Sequence, residues 1–225
     1  MCYSATVSFA SAAVLTGGGL ACLKKAEGFN TSNGVFPLLP LLFGIQQALE
    51  GVVWLSLGSH DPELLRASAL GFLLFSHVFW PIAIPLSCYL AEPAQGRKGL
   101  FLSMTLLGAV FAVSTYGPLW LYPDWLGVEV VHHSIVYRTT LFYDALVPRE
   151  LVTFAYAAII LLPLLLSVRH AYRMLGVLML LAGMLMAAMF KLAFISVWCF
   201  FAALLSLYIY YVVVIQPEPA FGASH

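Results

Sequence analysis

The chain has 225 residues, 62% hydrophobic and 9% charged, with ten basic and ten acidic residues and no net charge. A soluble domain carries about 25% charged residues, so this composition excludes that class; the even balance also offers no basic face to nucleic acid and no charge block of the kind that stays disordered. A mean hydropathy of +0.96 points instead to a polytopic membrane protein, a single membrane domain over 1–225 with no room for a second, soluble one.

A spanning helix takes about 20 apolar residues. The first apolar stretch, Tyr3–Leu23, has no basic segment ahead of it and carries Lys24 and Lys25 behind it, so it reads as a retained helix rather than a signal peptide. Ser4, Ser8 and Ser11 at helical spacing, with Gly17-Gly18-Gly19 near its end, give it a small-residue face suited to close helix packing. Further spans are predicted at Val35–Leu57, Leu65–Ala91, Gly99–Tyr116, Leu151–Val168, Met174–Met189 and Leu192–Val214. The last two form one apolar run broken only by Lys191. A single helix of about 40 residues would reach about 60 Å, twice the hydrocarbon core, so a tight turn near Lys191 is expected.

These elements predict an all-α membrane protein, a seven-transmembrane-helix bundle. Lys24, Lys25, Arg97, Lys98, Arg169 and Arg173 fall in the first, third and fifth connections, whereas Arg66, Arg138, Arg149 and Lys191 fall near the opposite ends. The bias places the N-terminus outside and the C-terminus in the cytoplasm, with Tyr208, Tyr210 and Tyr211 anchoring the last helix at the inner interface. The connection 118–150 is then a long outer loop. Its Trp120, Tyr122, Trp125, Tyr137, Phe142 and Tyr143 predict an amphipathic flap on the headgroups, and the β-branched run from Val128 to Tyr137 leaves a short hairpin as the alternative. The tail 215–225 begins Ile215-Gln216-Pro217-Glu218-Pro219, cannot continue a helix and is expected to fray.

An acid at the depth of Glu50 is expensive in lipid and is seldom left without a partner or a purpose. Gln46, Gln47 and Glu50 fall at i, i+1 and i+4 on one helix face, which Trp54 continues one turn outward. Ser76, His77, Trp80 and Pro81 form a comparable polar cluster in the third span. A short turn at His60-Asp61-Pro62 makes these two helices antiparallel, with His77 nearly level with Gln46 and about 5 Å in depth from Glu50. A Glu50–His77 or Gln46–His77 contact is therefore expected. Glu50, His77, Gln46, Gln47, Trp54 and Trp80 are the candidate ligand- or proton-binding residues, set against the plainer account of a hydrogen-bonded packing clamp.

Other chemistry is poorly signalled. Cys2, Cys22, Cys88 and Cys199 form no CxxC pair, so the last three read as small core residues. Adjacent His132 and His133 point to opposite sides of a strand, and a metal site shared with Cys2, Glu129 or Asp144 is not predicted. No HExxH, GxSxG or Walker loop occurs, only His77 of the histidines is expected inside, and the cofactor is unknown from these residues.

Met1-Cys2-Tyr3-Ser4-Ala5, the segment Gly44-Ile45-Gln46-Gln47 with Glu50-Gly51 and Trp54, and Ser76-His77-Val78-Phe79-Trp80-Pro81 together resemble a bacterial family of small integral-membrane proteins of unknown function. Its members typically begin Met-Cys-Phe-Ser-Ala and carry a Gln-Gln-x-x-Glu-Gly second helix. The resemblance implies the architecture and a bacterial inner-membrane location, and names no reaction. Three functions remain open: a small-molecule transporter with Glu50 as its protonatable group; an intramembrane lipid-modifying enzyme using His77 and Glu50, which would still need a nucleophile; and a non-catalytic sensor or subunit of a membrane complex. The expected partners are the lipid bilayer, a small polar ligand or protons, and a membrane partner protein or a second copy.

Overall fold

The computed structural model describes residues 4–26, 35–93, 95–131, 133–189 and 194–215. Six helices among the described residues are long and apolar enough to cross a membrane: Ala5–Lys25, Phe36–Ser59, Pro62–Ala91, Gln95–Leu121, Arg149–Leu166 and Val197–Ile215. A seventh helix, His170–Met189, contributes a shorter apolar segment, His170–Leu185. Helices prevail because hydrocarbon offers backbone N–H and C=O groups no partner, and only a helix satisfies them within one segment. Leu106, Val110 and Val113 on the fourth span and Phe154 on the fifth point outward, Val113 with 74% of its surface accessible. A continuous apolar exterior of this kind suits contact with acyl chains and would be a liability in water.

The first span, α1 (Ala5–Lys25), starts where the Ser4 hydroxyl accepts the Val7 N–H, a normal N-cap. It lies along α2 (Leu39–Ser59) on the small-residue face the sequence predicts. A methyl at Gly19 would overlap the Leu41 backbone, and one at Gly44 would lie 3.0 Å from the Thr16 nitrogen. His60 ends α2 in the left-handed region.

The third span begins three residues earlier than predicted. Asp61 accepts the Glu63 and Leu64 N–H groups and Pro62 occupies the first turn, a start signal that outweighs the modest hydropathy there. The span is also not one regular helix. It runs as α3 (Pro62–Leu73), a π-helical turn (Leu74–Phe79) and α4 (Trp80–Ala91). Pro81 has no N–H to offer the His77 carbonyl, and the Trp80 N–H reaches back five residues to Phe75, so the ladder widens where proline interrupts it. The fourth span, α5 (Gln95–Leu121), packs so closely on α4 that a methyl at Gly108 would overlap the Pro81 carbonyl.

The connection predicted at 118–150 differs in part. α5 continues through Pro118 to Leu121, and the β-branched run forms an antiparallel hairpin of β1 (Leu126–Val131) and β2 (Ser134–Thr139), in register from Leu126↔Thr139 to Val131↔Ser134. The hairpin packs onto the bundle: Ile135 is buried with Val53 of α2 and Ala69 of α3, and Val136 packs on Val197. Ser134, Ile135 and Val136 are consecutive and all buried, so the start of β2 is covered on both faces, Ile135 by α2 and α3 on one side and Val136 by Val197 on the other. Trp120 and Phe142 do stay exposed. The chain returns as α6 (Arg149–Leu166) and α7 (His170–Met189). The last span is broken into α8 (Phe194–Leu205), α9 (Leu207–Tyr210) and a π-helical turn to Ile215. The turn expected at Lys191, the frayed tail beyond Ile215, and Cys2 and His132 lie outside the described residues.

Candidate functional site

Gln46, Gln47 and Glu50 are each fully buried. Helical spacing puts them on the side of α2 that faces the bundle, and the neighbouring Gly44 and Gly51 seal the seam with α1: the Phe9 ring fills the space where Gly51 lacks a side chain. Gln47 Nε2 donates to Glu50 Oε2 at 3.4 Å. Trp80 Nε1 donates to Gln46 Oε1 at 2.8 Å, and the Trp80 ring stacks on Phe43 with centroids 4.0 Å apart. Trp80 therefore ties α4 to α2 through both a hydrogen bond and its ring. Across the cluster, the buried Cys199 thiol of α8 faces the Gln46 amide and lies in the electrostatic field of Glu50.

This cluster holds more hydrogen-bonding capacity than it uses. Gln46 Nε2 and Gln47 Oε1 are buried without a hydrogen-bond partner among the described residues. Each such atom costs about 1–3 kcal/mol, and native interiors keep few of them without a functional reason. The adjoining cavity, bounded by Phe43, Trp80, Tyr156, Trp198 and Cys199, is only about 20 Å³ and apolar. That is room for roughly one water and for no organic ligand.

His77 does not join this cluster. It keeps 8% of its surface accessible, and that surface lines a separate cavity of about 70 Å³ with Ser76, Thr115, Thr139, Arg149 and Tyr156. Its Nδ1 lies 2.9 Å from Ser76 Oγ, and that hydroxyl also lies 3.3 Å from the Leu73 carbonyl oxygen. The expected Glu50–His77 and Gln46–His77 contacts are replaced by Gln47–Glu50 and Trp80–Gln46. The cause is the π-helical turn. One residue of extra winding rotates the face by about 100°, which turns His77 toward α5 and α6 while Trp80 still meets α2.

Trp54 also parts from the site, packing against the buried cluster of Val53, Ala69 and Ile135 beneath the hairpin. Of the six residues singled out in the sequence, four converge (Gln46, Gln47, Glu50, Trp80) and two do not. Cys199 and Tyr156 are the neighbours sequence reasoning missed; Tyr156 borders both cavities, and only its place on an apolar helix was visible beforehand. The loop residues considered for metal are otherwise engaged: Glu129 pairs with Arg138 at 2.6 Å and Asp144 with Arg149 at 2.5 Å.

A bundle of apolar helices closed around an amide–carboxyl cluster defines an integral membrane protein. The chain matches a family of unknown function, DUF6629, over residues 1–224, and belongs to that family. Comparison with curated proteins and with solved structures gives no match.

Proposed function

We propose that Glu50 is a proton-binding group in a membrane transport cycle, oriented by Gln46, Gln47 and Trp80. The observation that supports this most is the unsatisfied polar capacity around a fully buried carboxyl group. A packing clamp gains by satisfying every atom, whereas a group that exchanges a proton needs neighbours able to rearrange their hydrogen bonds with each state. The small cavity beside the cluster favours a proton over an organic ligand in this conformation. A larger substrate would enter only in a state where α2 and α4 part. The protein would sit in a bacterial inner membrane with its N-terminus outside, the orientation in which its basic connections face the cytoplasm.

Reconstitution in proteoliposomes with an internal pH dye tests this reading. Glu50→Gln keeps the shape and removes the titratable proton, so pH-driven flux should vanish while thermal unfolding in detergent stays close to that of the wild type. Undiminished flux in a folded Glu50→Gln protein would exclude the role.

The enzyme reading has one observation in its favour, the hydroxyl–imidazole pair of Ser76 and His77 beside a polar cavity, which supplies the nucleophile that the sequence did not reveal. It no longer involves Glu50. The second contact of the Ser76 hydroxyl with the Leu73 carbonyl describes a capped helix turn equally well, so transport is the better-supported account. Turnover of a labelled lipid extract that ended in both Ser76→Ala and His77→Ala would reverse that order; turnover surviving in either would end the enzyme reading.

A further inference from the structure

The two ends of the bundle treat their arginines differently. At the hairpin end Arg138 and Arg149 are ion-paired with Glu129 and Asp144. At the opposite end Arg97, at the start of α5, and Arg173, in the first turn of α7, border one open cavity of about 290 Å³. Neither has a carboxylate partner among the described residues. Arg97 donates one guanidinium hydrogen bond to the Leu166 carbonyl at 2.7 Å, which fixes the group at the cavity edge and leaves its other donors without an acceptor among the described residues. Ser167 completes the polar lining. It is 2% exposed and its oxygen accepts the Arg169 N–H at 3.2 Å, while its own proton meets no acceptor among the described residues. No carboxylate lines the cavity among the described residues; Glu92 accepts the Val168 N–H at 3.5 Å, and Arg169 donates to the Ala91 carbonyl. The remaining lining is Leu100, Leu165 and Leu166.

We propose that this cavity binds the headgroup phosphate of an anionic phospholipid, with its acyl chain running along Leu100 and Leu166. The charge is complementary, the donors are of the fork type that recognises phosphate oxygens, and the apolar wall continues onto the lipid-facing surface of α5. A free phosphate ion would use the arginines and Ser167 and gain nothing from the leucines. Basic pockets between spanning helices commonly take anionic lipid in this way.

Native mass spectrometry of detergent-solubilised protein given equal amounts of phosphatidylglycerol and phosphatidylcholine tests the site. The wild type should retain phosphatidylglycerol preferentially, and Arg173→Gln should weaken that retention about fivefold, the worth of one basic residue near the surface. Arg97→Gln combined with Arg173→Gln should remove the preference. Lys24→Gln with Lys25→Gln, which deletes two charges at the same end but outside the cavity, should leave it intact. Should loss of the Leu166 contact unfold the double variant, Arg173→Gln decides alone, since the Arg173 side chain makes no hydrogen bond or ion pair among the described residues. Equal retention of both lipids by the wild type, an equal loss in the lysine variant, or inorganic phosphate binding as tightly as phosphatidylglycerol, with no gain from the acyl chain, would each overturn the proposal.

Discussion

Two polar groups sit at similar depth in neighbouring spans, and the fold deals with them in opposite ways. Glu50 is fully buried with Gln47 on α2 and in the field of Cys199 on α8, in a cluster that adjoins an apolar cavity of about 20 Å³, whereas His77 faces a polar cavity of about 70 Å³ that reaches Thr139 and Arg149 at the hairpin end. Depth alone therefore does not determine what a polar side chain in a membrane protein can do. The helix face does, and in the third span a single π-helical turn sets that face.

The contrast can be broken most forcefully with a cation. Glu50→Lys would put an unpaired charge into a sealed site at a cost of about 3–5 kcal/mol, and folded protein should largely disappear from detergent extracts. His77→Lys, opening on the polar cavity, should still yield folded protein. If both variants fold equally well, the two environments are not distinct.

Packing offers the next test. Gly44→Ala would press a methyl onto Thr16 and the Ala12 carbonyl oxygen and should lower stability by about 1–3 kcal/mol, while Gly58→Ala, with open space around it, should not. Thermal unfolding of the two variants side by side reads the difference. Trp80→Phe keeps the stack on Phe43 and removes the donor to Gln46, adding one more unsatisfied buried atom at about 1–2 kcal/mol. His77→Gln, able to hold a hydrogen bond to Ser76, should change the unfolding temperature little.

Accessibility sharpens the same comparison without relying on stability. With Cys2 replaced by serine, a small charged thiol reagent added to intact membranes should label His77→Cys and leave Glu50→Cys unmodified. Equal labelling would mean that water reaches both. The smallest effect belongs to Arg149→Gln. Its exposed pair with Asp144 contributes under about 1 kcal/mol, so a modest shift in unfolding temperature is expected, with looser attachment of the hairpin to α6 visible as faster proteolysis between Thr139 and Arg149.

Much of this was legible in the residues. Length and apolarity are enough to mark helices, because lipid allows almost nothing else, and Gln46, Gln47 and Glu50 announced a buried face by simple periodicity. The serines and glycines of α1 announced close packing, which Gly19 and Gly44 carry out. What could not be read was any feature that departs from regular winding. Wound as a uniform helix, the third span brings His77 level with Gln46 and within reach of Glu50, which is the contact the residues alone predict. Pro81 was visible, but the size of the rotation it induces depends on how α4 meets Phe43 and Gly108. The residues alone do not decide between hairpin and flap, because β-branched runs in a loop become strands only when something receives their apolar side, and Val53, Ala69 and Val197 come from three distant segments. Cys199 beside Gln46 was hidden for the same reason, since no local pattern reports a contact over such a separation.

The central claim is that Glu50 changes its protonation state within the folded protein. Infrared difference spectroscopy of the protein in lipid, stepped across a range of pH, measures this directly. The account predicts a carboxylic-acid carbonyl band that comes and goes with pH and is missing from Glu50→Gln. A band assigned to Glu50 that stays constant across the range in which the protein remains folded would show a fixed clamp and contradict it.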